Sequence, residues 1–193
     1  PELFMKRLLA ADSGAIYQIC SVFRDGEAGQ RHNPEFQMLE WYRPGFVMSD
    51  LINDVVNLVR QVLQRDHPAF VTIPYLELFE STTGLDALDT TVAEITGWAL
   101  KNGVNIDPQV VGNDRDSWLQ LIMTHIIEPG FDHDQLTFVT HFPASQAALA
   151  RIDPDDSRVA LRFELYLGGM ELANGFEELT DVEEQRARLG AGL

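Results

Sequence analysis

The chain has 193 residues, 45% of them apolar, enough for a folded unit with a sizeable core. Its 30 acidic and 14 basic residues leave a formal net charge of −16, which repels nucleic acid unless the few Lys and Arg cluster. No apolar run of about 18 residues occurs and Cys20 is alone, which excludes a membrane-spanning helix, an internal disulfide and a multi-cysteine zinc site.

Residues 1–11 predict a helix, with proline in its first turn and Leu3, Met5, Leu8 and Leu9 as apolar positions. Asp12, Ser13 and Gly14 end it. Residues 16–24 and 35–43 predict two strands. The long polar loop between them, 25–34, suggests a hairpin whose loop carries function. The apolar neighbours of Cys20 predict a buried, inert thiol. With no signal-peptide pattern at the opening, a lone thiol points to the cytoplasm. Residues 49–65 predict a helix capped by Ser49, with Leu51, Val55, Leu58, Val59 and Val62 on its inner face. Residues 68–130 predict a small helical insert, with helices at 75–81, 91–102 and 114–128. A strand follows at 136–142, and two more at 158–167 and 170–176 are joined by Gly168-Gly169, a strong signal for a two-residue turn. Asp181 starts a last, charged helix. Antiparallel strands with interspersed helices make the fold class α+β.

Alternation on the second strand puts Phe36, Met38, Glu40 and Tyr42 on one face. A carboxylate among aromatics is either solvated or the floor of a pocket in which Glu40 meets a cationic ligand. Across the Gly-Gly turn, Glu164 is expected opposite Ala173 and Tyr166 opposite Glu171. Glu164 and Glu171 would then be diagonal neighbours about 7–8 Å apart at the backbone. Such a pair suits a divalent ion with bound phosphates, or else an open, solvated sheet face. Asn174, Phe176 and Glu178 fall on the opposite face from Glu171 under strict alternation. A bulge near Ala173 or Gly175 would bring them to the same side. In the 25–34 loop, Glu27, Arg31 and His32 follow Arg24; basic groups there suit a triphosphate or a charged surface loop.

Taken together, the segments resemble a known family. Phe23-Arg24-Asp25 followed by Arg31-His32-Asn33-Pro34-Glu35-Phe36 resembles motif 2 of class II aminoacyl-tRNA synthetases of the lysyl type. Glu171-Leu172-Ala173-Asn174-Gly175-Phe176-Glu177-Glu178 resembles their metal-binding segment, and Pro1-Glu2-Leu3 with Lys6-Arg7-Leu8 resembles their amino-acid-binding turn. Met38-Leu39-Glu40-Trp41-Tyr42-Arg43-Pro44, His141-Phe142-Pro143-Ala144-Ser145-Gln146 and the run 156–164 are similar to the branch of paralogues that modifies elongation factor P.

The resemblance implies a partial class II catalytic core over 1–193, an antiparallel sheet flanked by helices with an insert at about 68–130, lacking motifs 1 and 3. It implies an enzyme that uses ATP and Mg²⁺ to form an aminoacyl-adenylate of β-lysine or lysine and passes the acyl group to a lysine of elongation factor P. Arg24 would hold the α-phosphate as the catalytic residue. Asp25, Gly26, Glu27, Arg31, His32 and Asn33 would line ATP, Phe36 would stack on adenine, and Leu172 would meet ATP through its backbone. Glu164 and Glu171 would bind the metal. Pro1, Glu2, Glu40, Tyr42, Asn174, Phe176 and Glu178 would take the amino acid. The family's usual Glu two residues after the motif 2 Arg is Gly26 here, followed by Glu27. A homodimer is implied for the full-length protein. Two other readings share these residues. One is a lysyl-tRNA synthetase fragment, disfavoured by the acidic charge and by the motif wording, so that tRNA is not an expected partner. The other is a synthetase-like module that binds ATP or an amino acid without catalysis.

Overall fold

The computed structural model describes residues 2–24, 33–64 and 69–190. They form two compact units, Pro1–Val47 and Met48–Leu193.

The first unit holds α1 (Glu2–Ala10), β1 (Ile16–Phe23) and β2 (Glu35–Tyr42). Helix α1 carries Glu2 in its first turn and Arg7 in its last, both matched to the helix dipole, and buries Met5. The strands pair antiparallel without a slip, from Ile16 opposite Tyr42 to Phe23 opposite Glu35. One face of this ribbon (Ile16, Gln18, Cys20, Val22, Phe36, Met38, Glu40, Tyr42) is half-buried, while Tyr17, Ile19 and Phe23 on the other are exposed. Cys20 is therefore half-buried rather than buried, beside the Gln18 amide at 3.1 Å.

The second unit opens with α2 (Met48–Leu63), which buries Met48, Ile52, Val55 and Val56. The expected inner stripe is corrected: Val62 is exposed, and the buried face is rotated toward Ile52 and Val56. Both stripes repeat at three and four residues, so periodicity alone did not separate them. Next comes β3 (Ala69–Pro74), a six-residue strand in a segment expected to be all helical. It pairs parallel with β4 (Gln135–Pro143), so the sheet is mixed rather than purely antiparallel. The partner lies more than 60 residues downstream, and no local pattern encodes a pairing at that distance. The helices between the two strands form the crossover that a parallel pair requires.

Those helices are α3 (Tyr75–Thr83), α4 (Val92–Lys101), the short α5 (Pro108–Val111) and α6 (Arg115–Ile122). Thr91 and Glu94 form a reciprocal capping box at the start of α4. The single helix expected at 114–128 is three pieces: α6, a π turn at Met123–Ile127 and a 3₁₀ turn at Glu128–Gly130. Tyr75, Phe79, Ile95, Trp118 and Ile122 pack with Val139, Phe142 and Tyr166, so the insert covers one face of the sheet.

The sheet runs β3-β4-β5-β6, with β5 at Val159–Leu167 and β6 at Met170–Phe176. Gly168 and Gly169 both take positive φ, 56° and 72°, as a tight primed turn demands. The chain closes with α7 (Val182–Gly190), capped by Asp181, whose carboxylate accepts from the Glu184 amide at 2.8 Å. Among the described residues no helix is long and apolar enough to cross a membrane.

Candidate active site

The β5–β6 hairpin sets the geometry. Beside the turn, Leu167 faces Met170 and Tyr166 faces Glu171, as alternation predicts. One step further the register changes: Leu165 faces Ala173 and Glu164 faces Asn174, so Leu172 is an extra residue on β6. Glu164 therefore lies opposite Asn174, not Ala173 as expected. The bulge sits one residue before the expected positions, and Gly175 stays in the ladder opposite Phe163. Gly175 is needed there for space, because a Cβ would lie 2.4 Å from the Phe163 ring.

The bulge reverses the alternation of β6. Glu171 shares a face with Tyr166, and Asn174 and Phe176 share that same face with Glu164 and Arg162. Strict alternation would have split Glu171 from Asn174. The bulge also takes Leu172 out of register and leaves it 43% exposed.

Glu164 is 6% exposed, and a carboxylate buried to that degree needs partners. Arg162 Nη2 and Tyr166 Oη donate to its two oxygens. Burial, and then the neighbouring Glu164 carboxylate, push the Tyr166 phenol far up, so it stays protonated and serves as a donor. Arg162 also donates to the Gln146 carbonyl at 2.8 Å and, more weakly, to Asn174 Oδ1 at 3.4 Å. Its guanidinium lies 4.5 Å from the centroid of the Phe142 ring. A second bulge supports this contact: Leu161 and Arg162 together face His141, whose φ is +53°. Arg162 was not among the expected site residues. The signal for it was an arginine two residues before Glu164, on the same strand face.

Glu171 and Asn174 are exposed on this face, and Phe176 is half-buried against Ala147, Ala150 and Ala160. Glu178 is half-buried just beyond β6, held by an antiparallel bridge to Ala150. Among the described residues no group of three His, Cys, Asp or Glu is placed to hold a metal. The donor set of Glu164 and Glu171 still fits Mg²⁺, which takes one or two carboxylates and completes its shell with phosphate and water oxygens. Each Glu164 oxygen accepts one of the hydrogen bonds from Arg162 and Tyr166 and has a further lone pair.

In the first unit, the Arg24 amide donates to the Pro34 carbonyl at 3.0 Å and closes the base of the loop. The Arg24 guanidinium lies over the Phe36 ring at 5.2 Å. Asn33 is exposed at the foot of β2. On the half-buried face, Tyr42 Oη donates to Glu40 Oε1 at 2.6 Å. Glu40 is thus hydrogen-bonded on a partly covered face rather than fully solvated. Glu2 is exposed in α1 and pairs with Lys6 at 2.7 Å. The expected residues Pro1, Asp25, Gly26, Glu27, Arg31 and His32 lie outside the described residues.

The family model of tRNA synthetases class II (D, K and N) matches residues 1–192. The chain belongs to the class II tRNA synthetases (D, K and N). The α+β fold is that of a class II synthetase-like domain. Within this family the chain is similar to proteins named elongation factor P–(R)-β-lysine ligase. It is 50% identical to those of Sodalis glossinidius and Pasteurella multocida over 97% of this chain and 57% of each relative. The Erwinia tasmaniensis relative of that name is 51% identical over the same shares. The chain thus spans little more than half the length of these relatives.

Proposed function

We propose that the full-length protein activates β-lysine, or lysine, with ATP and transfers the acyl group to a lysine side chain of elongation factor P. The observation that carries this reading is the β5–β6 register, in which Glu171 shares the face of the buried Glu164 and the bulge at Leu172 brings Asn174 to that same face. Two carboxylates on one face suit Mg²⁺ with bound phosphates. The names of the relatives support the choice of substrate and acceptor.

In this reading Glu164 and Glu171 hold Mg²⁺, which supplies charge neutralisation at the phosphates when bound. Arg24 binds the α-phosphate and offsets the charge that develops there, with Asp25, Gly26, Glu27, Arg31, His32 and Asn33 along the nucleotide. Phe36 stacks on adenine, and the Leu172 backbone, out of register in its bulge, contacts ATP. Pro1, Glu2, Asn174 and Phe176 shape the amino-acid end, and Glu40, Tyr42 and Glu178 hold the distal ammonium. The substrate carboxylate attacks the α-phosphorus and pyrophosphate leaves. A lysine amine of elongation factor P then attacks the acyl carbon and AMP leaves. No side-chain nucleophile is needed; placement and charge compensation do the work. Residues 1–193 form part of the catalytic core, most of 68–130 is its insert, and the full-length protein is a cytoplasmic homodimer.

The test is pyrophosphate exchange by the full-length protein with β-lysine and with α-lysine, followed by transfer to elongation factor P or to tRNA. Exchange with β-lysine and transfer to elongation factor P are expected. Exchange with neither amino acid removes the reading, and transfer to tRNA alone replaces it with a lysyl-tRNA synthetase.

A further inference from the structure

Ser145 and Gln146 belong to a stretch whose wording marked the branch, yet the reaction assigns them no task. The structure gives their surroundings. Ser145 Oγ donates to Asp116 Oδ1 at 2.9 Å, and Gln146 Nε2 donates to the same oxygen at 3.1 Å. Asp116 sits in the first turn of α6, in the helical insert. The Gln146 carbonyl in turn accepts from Arg162, and Arg162 donates to Glu164. A continuous line of hydrogen bonds therefore runs from the insert, through the 3₁₀ turn at Ala144–Gln146, to the buried carboxylate of the metal pair.

We propose that Arg162 is a positioning residue for that carboxylate, and that Asp116 anchors Arg162 from the insert through the Ser145–Gln146 turn. Arginine suits the position for a stated reason. Its planar fork serves three acceptors at once, on Glu164, Gln146 and Asn174, while its face lies on Phe142. Lysine keeps the charge but is a single point donor and cannot hold those directions together. Without the fork, Glu164 turns on its own torsions, and the pair it forms with Glu171 loses its fixed separation. Groups that orient metal ligands in this way typically change metal affinity or activity by about 10- to 100-fold when lost.

The proposal rests on the reading of Glu164 and Glu171 as metal ligands, and its test has a readout independent of turnover. Binding of Mn²⁺ to the ATP-loaded full-length protein is titrated by electron paramagnetic resonance for wild type, Arg162→Lys, Asp116→Ala and Asp116→Asn. Arg162→Lys, with an unchanged melting temperature, is expected to weaken Mn²⁺ binding about 10-fold or more. Asp116→Ala is expected to weaken it about 3- to 10-fold, as for a residue that acts through another. Asp116→Asn keeps the acceptor oxygen and should stay within about two-fold of wild type. In pyrophosphate exchange Arg162→Lys and Asp116→Ala raise the Mg²⁺ concentration for half-maximal rate and lower kcat, with KM for the amino acid little changed, and Asp116→Asn does neither. Wild-type Mn²⁺ affinity in folded Arg162→Lys overturns the proposal, as does failure of the wild type to bind Mn²⁺ with ATP. Wild-type Mn²⁺ binding without any exchange, and weakened in Arg162→Lys, upholds this proposal while removing the proposed reaction.

Discussion

Glu40-Trp41-Tyr42 in β2 and Glu164-Leu165-Tyr166 in β5 have the same spacing, and in each the tyrosine hydroxyl donates to the glutamate two residues before it. The surroundings separate them. Glu164 is buried on a face packed under the helical insert, and Arg162 on its own strand neutralises it. Glu40 is half-buried in a two-stranded ribbon, opposite Gln18, with Tyr42 as its hydrogen-bond donor and no cation paired with it among the described residues. One carboxylate is paired with a cation of the protein, the other with a tyrosine hydroxyl. In the proposed function the same three-residue pattern thus serves a metal pair in one place and an ammonium group in the other.

Removing each carboxylate is the strongest way to break this comparison. Glu164→Ala leaves the Arg162 charge and the Tyr166 hydroxyl without their buried partner. It should cost roughly 3 kcal/mol or more of stability in denaturant unfolding of the full-length protein. A loss below about 1 kcal/mol would mean that Glu164 is not part of a compensated buried pair. Glu40→Ala should do the reverse. Stability changes by less than about 1 kcal/mol, while amino-acid affinity in titration falls by roughly 10- to 100-fold, the value of a charged hydrogen-bonded contact. ATP affinity is expected to stay near wild type. Equal losses for both ligands would contradict the ammonium assignment, and the same pattern is expected for Glu178→Ala.

The tyrosines sharpen the comparison at smaller magnitude. Tyr166→Phe leaves a buried carboxylate oxygen one donor short and should cost about 1–3 kcal/mol, whereas Tyr42→Phe should cost less than about 1 kcal/mol. Similar losses for the two would show that burial does not distinguish the sites.

The smallest effect lies at a solvent-accessible surface pair. The guanidinium of Arg158 holds the Asp156 carboxyl down, to about 2 from 3.8, mainly by direct hydrogen bonds. A carboxylate whose pKa is depressed by folding contributes stability that is present above its unfolded value and lost as pH falls through the folded one. The window is therefore about pH 4 down to about pH 2. Because the pair is in solvent, Arg158→Ala should return the Asp156 pKa to the ordinary range by NMR titration without a resolvable change in melting temperature at pH 7.

Local patterns were read correctly where they carry their own chemistry. The Gly168-Gly169 turn, the capped start of α7 at Asp181 and the alternating face of Phe36, Glu40 and Tyr42 follow from neighbours a few residues apart. β3 did not, because its partner is distant and its six residues lie among helical patterns. Nor did the full course of 114–128, where a π turn interrupts the helix. Arg162 was overlooked because a lone arginine on a strand has no pattern until Glu164, Gln146 and Phe142 are seen around it.

Sequence alone determined the family and the hairpin that carries Glu164 and Glu171, since motifs and turns are written in consecutive residues. Only the tertiary structure decided that Asn174 and Phe176 share the face of Glu164 and Glu171. One inserted residue, Leu172, reverses the alternation of everything after it on β6. Past the bulge Gly175 lies opposite Phe163, whose ring leaves no room for a Cβ there. The burial that makes Arg162 necessary to Glu164 likewise comes from an insert folded down from far along the chain.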